Sequence, residues 1–113
     1  MLYFFEEAHN YIPSMKNTLC KDMIIKLARE GRKYGINLCF ITQRPRYFDQ
    51  TAFSQTSNKI IFGMSHPDDI KYSLDDSIYY DNHIASSIQS LHTGECIING
   101  TAYKAPISVN IDI

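Results

Sequence analysis

Apolar runs and polar breaks alternate along the chain with two periods. Leu2–Phe5 (LYFF) is an uninterrupted apolar run, which predicts a strand covered on both faces. Residues 10–17 are a polar loop punctuated by Pro13 and Ser14. Over residues 18–34 the period becomes helical. Leu19, Met23, Leu27 and Ala28 form a stripe expected to face a sheet, while Lys21, Lys26, Arg29 and Lys33 lie largely off it. Thr18 or Asn17 is placed to cap this helix, and Gly35 to end it in a left-handed conformation. Residues 37–42 (NLCFIT) predict a second strand, stopped by Gln43-Arg44-Pro45. A polar loop with one helical turn is expected over 46–57, then a third strand at 59–64 (KIIFGM). SHPDD marks a helix start, with Ser65 or His66 as cap, Pro67 in the first turn and Asp68 and Asp69 favoured by the helix dipole. That helix is expected to end near Leu74, and a second short one to cover about 81–91. Residues 95–99 and 103–111 predict a terminal β-hairpin joined around Gly100.

Strand, helix, strand, crossover, strand is the pattern of an α/β sheet of mainly parallel strands with flanking helices. Such sheets bind ligands beyond the carboxyl ends of their strands. Three groups fall at such ends: Glu6 and Glu7 after the first strand, Gln43 and Arg44 after the second, Ser65 and His66 after the third. The first two converge if their strands are neighbours or next-neighbours. Two acids, an amide and guanidinium groups in that position suit phosphate and metal chemistry.

Composition narrows this only a little. The chain has 113 residues, the size of one domain, and a net charge of −1 that exerts no overall pull towards nucleic acid or membrane. The charge is unevenly spread: residues 1–60 hold nine Lys and Arg against five Asp and Glu, and residues 61–113 hold two against seven. Such a split fits one face meeting an anion or acidic partner, and equally two differently solvated faces. Cys20, Cys39 and Cys96 are odd in number and widely spaced, so a disulfide framework is not expected and a reducing, cytoplasmic setting is. Cys39 reads as a small core residue. No apolar run reaches the ~18 residues of a membrane span, and no signal-peptide pattern follows Met1. His9 with Glu6 does not make a zinc site, because His66, His83 and His92 add no ligand spacing. Tyr72, Tyr79, Tyr80 and Tyr103 read as packing residues rather than base-stacking ones.

EEAHNYIP, then LAREGRKYGINLCFITQRP, then DQTAFSQTSNKIIFGMSHPDDIKY occur in this order across nearly the whole chain. Together they resemble the C-terminal half of the HerA/FtsK-type hexameric P-loop ATPases, DNA translocases and helicases with a RecA-like fold. The resemblance implies that Leu2–Phe5 with Glu6 and Glu7 is a Walker B strand. Glu6 would hold the water shell of Mg²⁺, which takes only one or two carboxylates, and Glu7 would polarise the attacking water. Gln43 would be the polar sensor of the γ-phosphate, with Arg44 beside it as a nucleotide-binding candidate. Arg32 would be the arginine finger reaching a neighbouring subunit's nucleotide, with Arg29, one turn earlier, as the alternative. Read without the resemblance, Glu6 and Glu7 also fit two solvated loop acids, and Arg32 a solvated residue at a helix end.

The resemblance implies ATP and Mg²⁺ as cofactors of the complete enzyme, DNA as partner through a homo-hexameric ring, and a possible nuclease partner. One part of the family pattern is missing. A P-loop needs GxxxxGK[ST], and none of Gly31, Gly35, Gly63, Gly94 and Gly100 is followed by Lys. Residues 1–113 therefore read as one incomplete domain, cut just before its Walker B strand. The absent strand would lie between those at 37–42 and 59–64, which leaves them to pair directly, to accept a strand from another copy, or not to fold. Two further readings stand beside the ATPase segment. One is a non-catalytic module docking on a partner ATPase subunit through the basic helix at 21–33. The other is a metal-dependent hydrolase built on Glu6, Glu7 and His9.

Overall fold

A computed structural model describes residues 1–74, 82–102 and 105–112. It divides into two compact units, Met1–Thr56 and Ser57–Ile113.

In the first unit β1 (Leu2–Phe5) pairs in parallel with β2 (Asn37–Phe40), Phe5 opposite Phe40. The connection carries α1 (Lys21–Glu30), a 3₁₀ turn at Gly31–Tyr34 and Gly35. Gly35 has φ 70° and ψ 21°, the left-handed conformation expected of it. After β2 come a 3₁₀ turn at Pro45–Tyr47 and α2 (Gln50–Ser54), capped by Asp49, whose Oδ1 accepts from Ala52 N at 3.1 Å. The core of this unit is Ala8, Ile12, Ile24, Phe48, Ala52 and Phe53. An aromatic row joins β1, the following loop and the segment after β2, with ring centroids 6.1 Å apart for Phe5–Tyr11, 5.7 Å for Phe5–Phe40 and 5.1 Å for Phe40–Phe48.

Several local expectations are corrected here. The helix starts at Lys21 rather than Thr18, with Cys20 at its N-cap position and no side-chain cap. Thr18 is diverted, its hydroxyl donating to Tyr11 O in the loop. The inward stripe is Lys21, Ile24, Leu27 and Ala28. Leu19 lies before the helix and is fully exposed, and Met23 is 67% exposed. The shift arises because Lys21 is drawn inward by an anion, which rotates the buried face about one position from the purely apolar stripe. β1 is not covered on both faces, since Leu2, Tyr3 and Phe4 are exposed, and α1 packs on α2 and β2 as well as on the 3₁₀ turn that follows it. Cys39 is half-buried.

In the second unit β3 (Asn58–Phe62) pairs antiparallel with β4 (Glu95–Gly100), which pairs antiparallel with β5 (Ile107–Asn110). The terminal hairpin is thus present. The third strand, expected to join a mainly parallel sheet, is antiparallel to its partner, and the described strands form two sheets, β1–β2 and β3–β4–β5. Both expected helices, α3 (Pro67–Leu74) and α4 (Asn82–Ser90), lie between β3 and β4; the difference is that β3 takes β4 as its partner, which draws it into the antiparallel hairpin sheet. An apolar run such as KIIF reports burial but carries no direction.

α3 begins as expected: Pro67 is its first residue and His66 Nδ1 accepts from Asp68 N at 3.2 Å. Ile61, Ile70, Leu74, Ile88 and Ile97 form the core of this unit, with Met64, Ile84, Ala85 and Leu91 packed around it. Gly100 closes the hairpin with φ 146°, and a Cβ there would meet Asn58 Cα at 2.6 Å. Of the tyrosines considered above, Tyr72 is half-buried, and Tyr79, Tyr80 and Tyr103 lie outside the described residues.

Candidate active site

Parallel pairing of β1 and β2 brings the ends of both strands to one place. Ile41 N donates to Phe5 O at 2.9 Å, and one residue beyond β1's two acids Ala8 N donates to Ile41 O at 2.9 Å. Glu6 and Glu7 therefore emerge beside Gln43 and Arg44, and all four are exposed. Glu6, Phe4, Phe5, Tyr11 and Ile41 line an open concavity here of about 620 Å³. The two post-strand segments are also fastened to each other further on. Pro13 forms a bridge with Phe48, Ser14 N donates to Tyr47 O at 2.9 Å, and Asp49 N donates to Ile12 O at 2.9 Å.

Glu7 has φ 50° and ψ 47°, the only non-glycine residue with positive φ among those described. A left-handed backbone at a side-chain-bearing residue costs about 1–2 kcal/mol. It is held by the 3₁₀ turn Ala8–Asn10, in which Asn10 N donates to Glu7 O at 2.8 Å. That turn carries His9, which the sequence offered only as a metal ligand with Glu6 and Glu7, to Thr42, which no motif singled out. His9 Nδ1 lies 2.8 Å from Thr42 Oγ1, and its Nε2 lies 3.4 Å from Glu7 Oε2. Thr42 Oγ1 also accepts from Arg44 N at 3.0 Å. The only trace in the sequence is the i, i+2 spacing of Glu7 and His9, and it acquires meaning only with Glu7 in its turn.

Arg29 and Arg32 are not brought to the carboxylates. Arg29 is in the last turn of α1 and Arg32 in the 3₁₀ turn before Gly35, whose carbonyl accepts from the Met1 ammonium at 2.7 Å. They therefore sit by the amino ends of the strands, and a four-residue strand sets the two ends roughly 13 Å apart. Lys21, expected on a basic docking face, is instead buried, with Nζ 3.1 Å from Asp49 Oδ2 and donating to Pro13 O at 2.7 Å and Lys16 O at 3.0 Å. Three donors and three acceptors leave that ammonium fully used within the fold.

Among the described residues no three His, Cys, Asp or Glu side chains gather as a metal-ion cage. One or two exposed carboxylates suit a hydrated Mg²⁺ carried in on a nucleotide, which needs few protein ligands. No described helix is long and apolar enough to cross a membrane.

The backbone has the fold of part of a P-loop packaging ATPase. It superposes on the genome packaging NTPase B204 of Sulfolobus turreted icosahedral virus 2, in complexes with ATPγS and with AMPPCP, with TM-scores of 0.76 and 0.77 over 99% of this chain and about half of that one, at 17% and 16% identity. In sequence the chain is 42% identical over 108 residues to the DNA double-strand break repair helicase HerA of Saccharolobus solfataricus, 41% identical over 112 residues to that of Sulfolobus acidocaldarius, and 39% identical over 108 residues to a probable helicase of Methanocaldococcus jannaschii. Over the segment it spans, the chain is a member of the HerA helicase family. That segment covers 22%, 23% and 21% of the three relatives' lengths. No family model matches.

Proposed function

We propose that this chain is the hydrolytic segment of a HerA-type, ATP-driven DNA translocase or helicase. The observation that carries the reading is the parallel β1–β2 pair, which sets Glu6 and Glu7 beside Gln43 and Arg44 in a chain homologous to HerA helicases. In this reading Glu7 orients and deprotonates the attacking water, Gln43 and Arg44 contact the terminal phosphates, and Glu6 holds the water shell of Mg²⁺. The metal, when bound with ATP, offsets the charge developing on the phosphates. Phosphate cradling comes from a P-loop outside these 113 residues, since no GxxxxGK[ST] occurs in them. Arg32, or Arg29, acts on the nucleotide of an adjacent subunit, in a homo-hexameric ring that moves along DNA and works with a nuclease. Their position by the amino ends of the strands supports action in trans.

The test is Mg²⁺-dependent ATP hydrolysis by the chain alone and by the chain rejoined to a P-loop-bearing half. The chain alone is expected to be inactive. In the rejoined enzyme Glu7→Gln lowers turnover about 10²–10⁴-fold with ATP binding retained. Arg32→Ala lowers it about 10³–10⁵-fold, and rings mixing Arg32→Ala with Glu7→Gln subunits recover part of the activity. Hydrolysis by the chain alone that is lost on Glu7→Gln would support the metal-hydrolase reading instead.

A further inference from the structure

The His9 side chain lies between the two post-strand segments, against Thr42 on one side and Glu7 on the other. Its ring is mostly buried, with a side-chain exposure of 12%, whereas the Glu7 side chain is 50% exposed. One neutral tautomer of the ring suits both of its neighbours. A carboxylate only accepts, so a hydrogen on Nε2, the nitrogen 3.4 Å from Glu7 Oε2, is the arrangement that attracts it. In the neutral ring Nδ1 is then bare, and Thr42 must donate to it. Thr42 can do so because its oxygen already accepts from Arg44 N and its own hydrogen is left to give. In that tautomer the four groups align with one polarity: Arg44 N–H to Thr42 Oγ1, Thr42 O–H to His9 Nδ1, and His9 Nε2–H towards Glu7.

We propose that His9 is a positioning residue that holds the Glu7 carboxylate in register with the tip of β2, so that the turn bearing Gln43 and Arg44 and the acid at Glu7 move as one. The proposal rests on the ATPase reading. The main chain reinforces the link, because Ala8 N bonds Ile41 O just before Thr42. A displacement of the β2 tip withdraws the Thr42 hydroxyl from His9 and frees the ring to turn. The Glu7 carboxylate, half exposed and on a left-handed residue, then loses the ring that holds its rotamer.

Two measurements test this. Nitrogen-15 NMR of the His9 ring in this chain is expected to show the proton on Nε2 with Nδ1 bare, and Thr42→Val to convert it to a mixture of tautomers. A proton resident on neutral Nδ1, or a ring unchanged by Thr42→Val, overturns the relay. In the chain rejoined to a P-loop-bearing half, His9→Ala is expected to lower kcat about 10²-fold with KM for ATP unchanged, the penalty of a misplaced reacting group. His9→Gln, whose amide N–H can replace Nε2–H, restores more of it than His9→Asn, and Thr42→Val costs less when added to His9→Ala than when made alone, since only its bond to Arg44 N is then left to lose. Equal activity of the Ala and Gln variants, or a change confined to KM, overturns the proposal. Glu7→Gln separates the two readings: if it abolishes turnover while His9→Ala does not lower it, the relay alone fails. If Glu7→Gln retains turnover, the ATPase reading fails and the relay with it.

Discussion

Lys21→Met removes one ammonium and retains most of the stem's bulk. Lys21 is 8% exposed, so water does not replace what it loses. The substitution leaves the Asp49 carboxylate, 14% exposed, without its cation at 3.1 Å, and strips donors from Pro13 O and Lys16 O. Removing one partner of a buried pair costs about 3–5 kcal/mol, mostly because the remaining charge stays desolvated. With a urea slope of about 1–3 kcal/mol per M, the unfolding midpoint of the chain should fall by at least ~1 M. Asp49→Asn should cost a similar amount, although Asn keeps the N-cap bond to Ala52, and the double variant should be less destabilised than the two single changes added together. The assay is urea unfolding followed by circular dichroism, with amide exchange of Ala52 and Phe53 as the local readout. A Lys21→Met midpoint within error of the wild type, or strict additivity in the double variant, would refute the reasoning. Lys21 would then be a solvated member of a basic face, as its sequence neighbourhood suggests.

Three further outcomes are expected. Leu74→Ala, at a site 1% exposed among Ile61, Ile70, Ile88 and Ile97, should cost about 2–5 kcal/mol in the same urea assay, and a cost below ~1 kcal/mol would mean that this core is not packed as described. Gly100→Ala combines φ 146° with a Cβ driven against Ser57 and Asn58, so its thermal midpoint should drop by the equivalent of about 1–3 kcal/mol; an unchanged midpoint would count against the turn. Leu19→Ser and Met23→Ser should each leave the urea midpoint of the chain within about 0.5 kcal/mol of wild type, whereas losses of several kcal/mol would restore the apolar stripe first expected from the sequence.

The order of elements, the left-handed Gly35, the start of α3 at Pro67 and the terminal hairpin were all legible in the sequence. Each depends on chemistry within a few residues: a fixed proline φ, a missing Cβ, a capping side chain, or an apolar period. The grouping of Glu6, Glu7, Gln43 and Arg44 was legible too, because a single crossover helix forces β1 and β2 to be parallel and their ends to coincide. Tertiary structure alone decided the rest. β3 pairs antiparallel with β4, a choice of partner that an apolar run cannot encode. Lys21 turns inward only because Asp49, twenty-eight positions away, supplies an anion on the facing element. His9 meets Thr42 across 33 positions, through a left-handed turn at Glu7 that no glycine announces. Contacts of this kind pair polar groups that look solvated one at a time. Only the fold removes the water from between them and makes each the other's partner.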